Sequence, residues 1–162
     1  MTGFQGETRQ DPAGDLLVLR RSYRHAAEEV WAALTDSDRL ARWAGSYTGS
    51  GGAGGTVEVT WTGEVDAGGE VAAPVTVTIH ECEPPRRLVV ELPQGDSAWR
   101  IAVTLAPDPD HPSSTLLTFE QPLPPGLPAA DVEAGWCWYL DRLGASLRGQ
   151  PMPSWDAYAP GD

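Results

Sequence analysis

Apolar side chains change their period several times along the chain, and each change marks an element. Leu16–Tyr23 (LLVLRRSY) starts apolar and ends basic, which predicts a first strand. In His25–Leu34, Ala27, Val30, Trp31 and Leu34 fall at helical spacing and predict a short amphipathic helix. Asp36 or Ser37 then caps a second short helix through Arg39, Leu40 and Trp43. The glycine-dense segment Gly45 to Gly55 predicts a flexible loop. From Thr56 the period becomes two. Val57, Val59 and Trp61 alternate with polar residues, as do Val75, Val77 and Ile79. Leu88, Val90 and Leu92 follow, then Trp99, Ile101, Val103 and Leu105, then Thr115, Leu117 and Phe119. Glu83-Pro84-Pro85 and the Pro/Asp-rich Pro107–Ser113 supply turns between them.

A long helix is predicted from about Ala129 to Arg148, with Pro128 at its first turn and Gly149 at its end. Its apolar stripe is Val132, Trp136, Tyr139, Leu140, Leu143 and Leu147. Successive strands with short turns and one segregated helix predict an α+β fold built on an antiparallel meander. Residues 1–15 are polar and predict a flexible arm, leaving 16–162 as a single domain. Trp155 and Tyr158 belong to a C-terminal tail expected to pack back on that domain.

Charge narrows the partners. The formal net charge is -12 over 162 residues, a surface that repels nucleic acid and anionic lipid. No apolar run is long enough to span a bilayer, and the polar start does not read as a signal peptide. Cys82 and Cys137 lack metal or redox spacing and read as free thiols in a reducing, cytoplasmic setting. No metal-ligand cluster, phosphate loop or nucleophile elbow is present, so no cofactor is expected.

The tryptophans carry most of the site information. There are 7 of them, each a large apolar surface with one N–H that wants a partner. Trp31 reads as core. Trp43 stands beside the glycine-rich segment, where a pocket mouth would lie. Trp61 and Trp99 point inward by strand parity, and Trp136, Tyr139 and Leu140 face the sheet from the long helix. Glu133 lies at the edge of that stripe, one turn before Trp136, where a carboxylate could orient a polar ligand group or act as a base. Trp43, Trp61, Trp99, Glu133, Trp136, Tyr139 and Leu140 are therefore the cavity candidates. Trp138 lies off the stripe and, if exposed, would mark a homodimer or partner surface. His80 is opposite in parity to Val77 and Ile79 and reads as outward-facing.

Three stretches taken together resemble a known family. They are Val30 to Trp43 (VWAALTDSDRLARW), Glu83 to Leu88 (EPPRRL), and Gly135-Trp136 opening GWCWYLDRLGASLRG. Their order and spacing over Leu16 to Tyr158 resemble the SRPBCC, or START-like, superfamily. Within it they are most similar to the heat-shock-protein ATPase activator C-terminal-domain-like family. The resemblance implies a helix-grip fold: a curved antiparallel sheet around a long C-terminal helix, two short helices closing one end, and a cavity between sheet and helix.

The leading functional expectation is a binding protein for a small apolar or aromatic molecule. An alternative is a cyclase- or hydratase-like enzyme using Glu133 or Tyr139. A further alternative is a protein-interaction or chaperone-cofactor domain. Chaperone-activating members carry an additional N-terminal domain, where this chain has a short polar arm.

Overall fold

The computed structural model describes residues 6–11, 14–49, 52–62, 73–94, 97–123, 129–155 and 158. Strand β2 (Gly14–Tyr23) leads into helix α1 (Ala27–Thr35), which buries Val30 and Ala33 and places Glu28 and Glu29 at its positive end. The chain then turns sharply. Asp36 accepts the Asp38 N–H at 3.0 Å and caps α2 (Ser37–Leu40), resolving the two capping options in favour of Asp36.

Strands β3 (Gly45–Thr48), β4 (Thr56–Trp61), β5 (Val75–Glu83), β6 (Arg87–Gln94), β7 (Ser97–Asp108) and β8 (His111–Leu123) follow, and helix α3 (Ala129–Arg148) closes the sequence of elements. A further strand, β1 (Gly6–Asp11), precedes β2. The result is an eight-stranded antiparallel sheet in the order β1-β2-β8-β7-β6-β5-β4-β3. β3 to β8 run as a meander, and β2 returns beside β8. The curved sheet with its C-terminal helix and short helices is a helix-grip fold.

Two elements differ from the sequence expectation. The polar arm holds β1, whose residues pair with β2 from Gly6↔Leu19 to Asp11↔Gly14. Ladder hydrogen bonds come from the backbone, so an edge strand needs no apolar alternation to form. The expected loop after Trp43 begins with β3, paired to β4 from Gly45↔Trp61 to Thr48↔Glu58. At Gly45 the two backbones come so close that an added Cβ would fall against the Thr60 carbonyl oxygen. Here glycine permits a strand contact and does not signal flexibility.

A third departure lies inside β5. Ile79 pairs with Val90, but Glu81, not His80, pairs with Val89. This bulge leaves His80 and Glu81 on the outward face and carries Cys82, opposite Leu88, to the inner one. His80 faces Glu91, Nε2 to Oε1 at 3.2 Å, on the outward side as its parity predicts.

α3 keeps its predicted limits and stops at Gly149, whose φ of 65° is the left-handed conformation that ends many helices. Its buried arc is wider than the stripe. Val132, Tyr139, Leu140 and Leu143 are buried as expected, and Cys137, Trp138 and Arg142 join them. Trp138 is 1% exposed, so it offers no dimer surface. Its indole donates to the Pro153 carbonyl at 2.9 Å, and the Trp155 ring stands 5.2 Å away. The tail therefore covers what the helical period alone would leave in water.

Candidate functional site

The period-two strands β4, β5 and β6 present one continuous apolar face. Val57, Val59 and Trp61 come from β4, Val77, Ile79 and Cys82 from β5, and Leu88, Val90 and Leu92 from β6. Above this floor, α1 contributes Trp31, Leu34 and Thr35, and α2 contributes Leu40. Tyr47 of β3 and Gly52 add to the described wall of a cavity of about 440 Å³. No described lining residue is an acid, a histidine, a lysine or an arginine.

The polar groups of the wall are turned on one another. Tyr47 Oη donates to the Thr35 carbonyl, and Thr35 Oγ1 donates to the Trp31 carbonyl at 2.8 Å. Ser37 Oγ donates to the Tyr47 carbonyl at 3.0 Å and accepts the Tyr47 N–H at 2.9 Å. These bonds pin β3 to the α1–α2 corner and leave ring and methyl surface facing the cavity. Burial pushes the Tyr47 phenol above its ordinary value, and the Asp36 charge adds to that. It is therefore a neutral hydroxyl at physiological pH.

Of the cavity candidates, Trp61 stands in this wall. The others gather around it or behind it. Trp43 is buried and works as a clamp: its indole donates to the Ala33 carbonyl at 2.9 Å, and its carbonyl accepts Arg142 Nε at 2.7 Å. Trp99 lies across from Leu92 in the β6–β7 register and is half-buried against the core. Trp136 donates to Gln121 Oε1 at 2.7 Å and packs its ring 4.9 Å from Phe119. Tyr139 touches both Trp136 and Trp61, with centroids at 5.8 and 6.0 Å. Leu140 is buried, and its carbonyl accepts the Tyr23 hydroxyl at 2.7 Å. Glu133 is half-buried on α3, outside the cavity wall.

The described lining thus comes from the α1–α2 corner and the β3–β6 half of the sheet. Side chains of α3 fill the space over the other half. Of the cavity candidates only Trp61 lines this wall, and Trp31, Tyr47 and Cys82 are among the lining residues the sequence reading left out. Trp31 sits on the apolar face of α1, where core and cavity lining give the same period. Tyr47 was hidden in the glycine-rich segment, and Cys82 reaches the wall only through the bulge at His80.

A second cleft of about 690 Å³ lies at the start of α1, lined by His25, Arg86, Arg87 and the β7–β8 hairpin. Its basic side chains face carboxylates already: His25 with Glu29, Arg86 with Glu83, Arg87 with Glu81. Among the described residues no group of three or more His, Cys, Asp or Glu is placed to hold a metal ion. No described helix is long and apolar enough to cross a membrane.

Solved structures share this arrangement. CalU16 from Micromonospora echinospora is 26% identical over 90% of this chain and 87% of its own, with a TM-score of 0.69. DynU16, a protein of the dynemicin biosynthetic locus, is 25% identical over 85% of this chain, which spans 49% of DynU16, with a TM-score of 0.67. A Bordetella parapertussis protein aligns over 95% of this chain and 85% of its own at a TM-score of 0.72 and 23% identity, a likeness of fold. No curated protein matches the sequence. Residues 24–148, from just before α1 to the end of α3, match the family model, and the chain belongs to the Activator of Hsp90 ATPase homolog 1-like protein family of the SRPBCC superfamily.

Proposed function

We propose that the protein binds a small, uncharged, apolar or aromatic molecule in the cavity between the α1–α2 corner and the β3–β6 half of the sheet. One observation carries the reading: a cavity of about 440 Å³ whose described wall residues include no acid, histidine, lysine or arginine, and whose described hydroxyls bond to the protein's own backbone. That volume falls in the range of roughly 300–1,000 Å³ that drug-sized ligands occupy. A charged ligand would lose its hydration there without a counter-charge, whereas an apolar one gains about 25 cal/mol for each Å² removed from water. The rings of Trp31, Tyr47 and Trp61 suit a flat or ring-bearing ligand. DynU16 stands in a biosynthetic locus, and a small-molecule ligand accords with that setting. The free thiols of Cys82 and Cys137 support a reducing, cytoplasmic site of action.

Acid–base catalysis needs a titratable group beside the ligand. Glu133 lies outside the described wall, and the Tyr47 hydroxyl is engaged by the Thr35 carbonyl. Binding is therefore the stronger reading. The test is a titration with an uncharged naphthalene-type fluorophore, comparing the native chain with Val77→Phe. The native chain should bind saturably, and Val77→Phe, which fills the cavity, should bind at least about tenfold more weakly, the effect of roughly 1.4 kcal/mol of lost contact. Equal binding by a Val77→Phe variant that keeps the native Tm would place the ligand elsewhere.

A further inference from the structure

The cleft of about 690 Å³ at the start of α1 collects donors that the fold leaves unused. Ala26 is the N-cap residue of α1, and its methyl group can accept no hydrogen bond. The N–H groups of Glu29 and Val30 bond the Ala26 carbonyl at 3.0 and 3.1 Å. Those of Ala27 and Glu28 have no acceptor among the described residues.

A side chain from another element adds a third donor. Thr115 Oγ1 donates to the His25 carbonyl at 2.7 Å and ties the start of β8 to the chain entering α1. Ser114, the preceding residue, stands in the same wall as Ala26 and Ala27. It is 9% exposed, and its hydroxyl has no partner among the described residues. Unlike the sealed Nε2 of Gln121, that hydroxyl is not closed off from solvent. A buried hydroxyl left unbonded is costly, and an acceptor that enters the cleft relieves it.

The surroundings define the acceptor. Arg86 lines the rim, and its 3.2 Å ion pair with Glu83 is exposed on both sides, 71% and 52%, so it is weak and readily exchanged. Arg87 is held by Glu81 and by Thr104 Oγ1. The first-turn acids Glu28 and Glu29 are exposed and lie outside the wall, and Glu29 faces His25. The positive end of α1 and its free N–H groups favour an anion. Leu105, Ala106, Pro107 and Pro112 make much of the remaining wall apolar.

We propose that this cleft binds a small organic monocarboxylate with an apolar body. Its oxygens accept from the α1 amides and the Ser114 hydroxyl, and its body lies against Leu105, Pro107 and Pro112. A carboxylate only accepts, which suits a site whose free groups donate. The inference stands apart from the apolar cavity, with which the cleft shares no described wall residue.

The experiment titrates the full ¹⁵N-labelled chain with sodium phenylacetate, with the neutral phenylacetamide and with sodium chloride, at constant ionic strength. Phenylacetate should shift the Ala27, Glu28 and Ser114 amide signals saturably, and the other two should not. Ala26→Ser places a hydroxyl where it caps the Glu28 N–H from within the chain. That variant should raise Tm by about 2–4 °C and bind phenylacetate roughly tenfold more weakly, so its loss of binding cannot come from unfolding. Ser114→Ala and Arg86→Ala should also weaken binding. Equal shifts with phenylacetamide or chloride, shifts largest at Val57 and Val77 of the apolar cavity, or undiminished binding in an Ala26→Ser chain of raised Tm would each overturn the assignment.

Discussion

The rings of Trp61 and Tyr139 meet edge to face, with centroids 6.0 Å apart and planes at 62°. Trp61 belongs to the cavity wall and Tyr139 to α3, so this contact is the partition between the apolar cavity and the aromatic stack behind it. Tyr139 continues that stack to Trp136 at 5.8 Å and Trp138 at 5.1 Å.

Removing the partition should join cavity to core. Trp61 is half-buried, so Trp61→Ala should cost about 2 kcal/mol, below the roughly 3–5 kcal/mol of a fully buried tryptophan. Denaturant unfolding measures this directly. The enlarged space should also shift preference toward bulkier apolar probes. A variant as stable as the native chain, with unchanged probe preference, would show that Trp61 does not bound the cavity.

The Ser37–Tyr47 clasp makes a separate prediction, because Ser37 serves both the N–H and the carbonyl of one β3 residue. Ser37→Ala should cost about 1–2 kcal/mol and raise amide exchange along Gly45–Thr48 more than elsewhere. Tyr47→Phe should cost about 1 kcal/mol and leave binding of a fully apolar probe unchanged, since its hydroxyl points to the Thr35 carbonyl. A large loss of probe binding in Tyr47→Phe would mean that the hydroxyl serves the ligand.

These residues also mark where the sequence was readable and where it was not. The α3 limits, the inward rows of β4 and β6 and the order of elements follow from one-dimensional periods. Periods of that kind survive in any arrangement that buries one face. The elements that escaped depend on partners distant in sequence. β3 is a strand because Thr60 and Ser37 receive it, and β1 because β2 offers an unpaired edge. Trp138 is buried by Pro153 and Trp155, well past the helix that carries it. The bulge at His80 breaks the alternation of β5, so the inner row reads Val77, Ile79, Cys82, which no period of two describes. The candidate site was legible in kind, as an aromatic, apolar cavity. Its position was not, because side chains inward by parity either line a cavity or fill a core, and only packing decides which.

The Arg21–Asp141–Tyr158 chain predicts unequal costs. Arg21 is 7% and Asp141 15% exposed, so Asp141→Asn removes the only carboxylate that the described structure hydrogen-bonds to Arg21 and should cost about 3 kcal/mol. Tyr158→Phe removes one neutral donor, at about 1 kcal/mol, and frees Asp141 Oδ2 to complete the fork on Arg21. The two changes should be strongly non-additive, since both act on the same carboxylate. Additive costs in a double-mutant cycle would show that Tyr158 and Arg21 do not compete for Asp141.

Cys137 gives the chain a pH dependence of defined sign. It is fully buried on α3, and burial pushes its thiol above the ordinary value, with the nearby Arg21 charge pulling the other way without prevailing. A raised pKa means that the folded state holds the proton longer than the unfolded state does. The contribution is therefore fully present below the ordinary thiol range and is lost as the pH rises through the folded value. Native and Cys137→Ala chains should differ by a constant stability from neutral pH to about pH 8.5, the ordinary thiol range. Above that the native chain should lose stability faster, because the alanine variant has no thiol to ionise on unfolding. The tyrosines Tyr23 and Tyr158 are present in both chains. Parallel stability curves up to strongly alkaline pH would mean that unfolding leaves the Cys137 ionisation unchanged, and that the thiol is not held away from water in the folded chain.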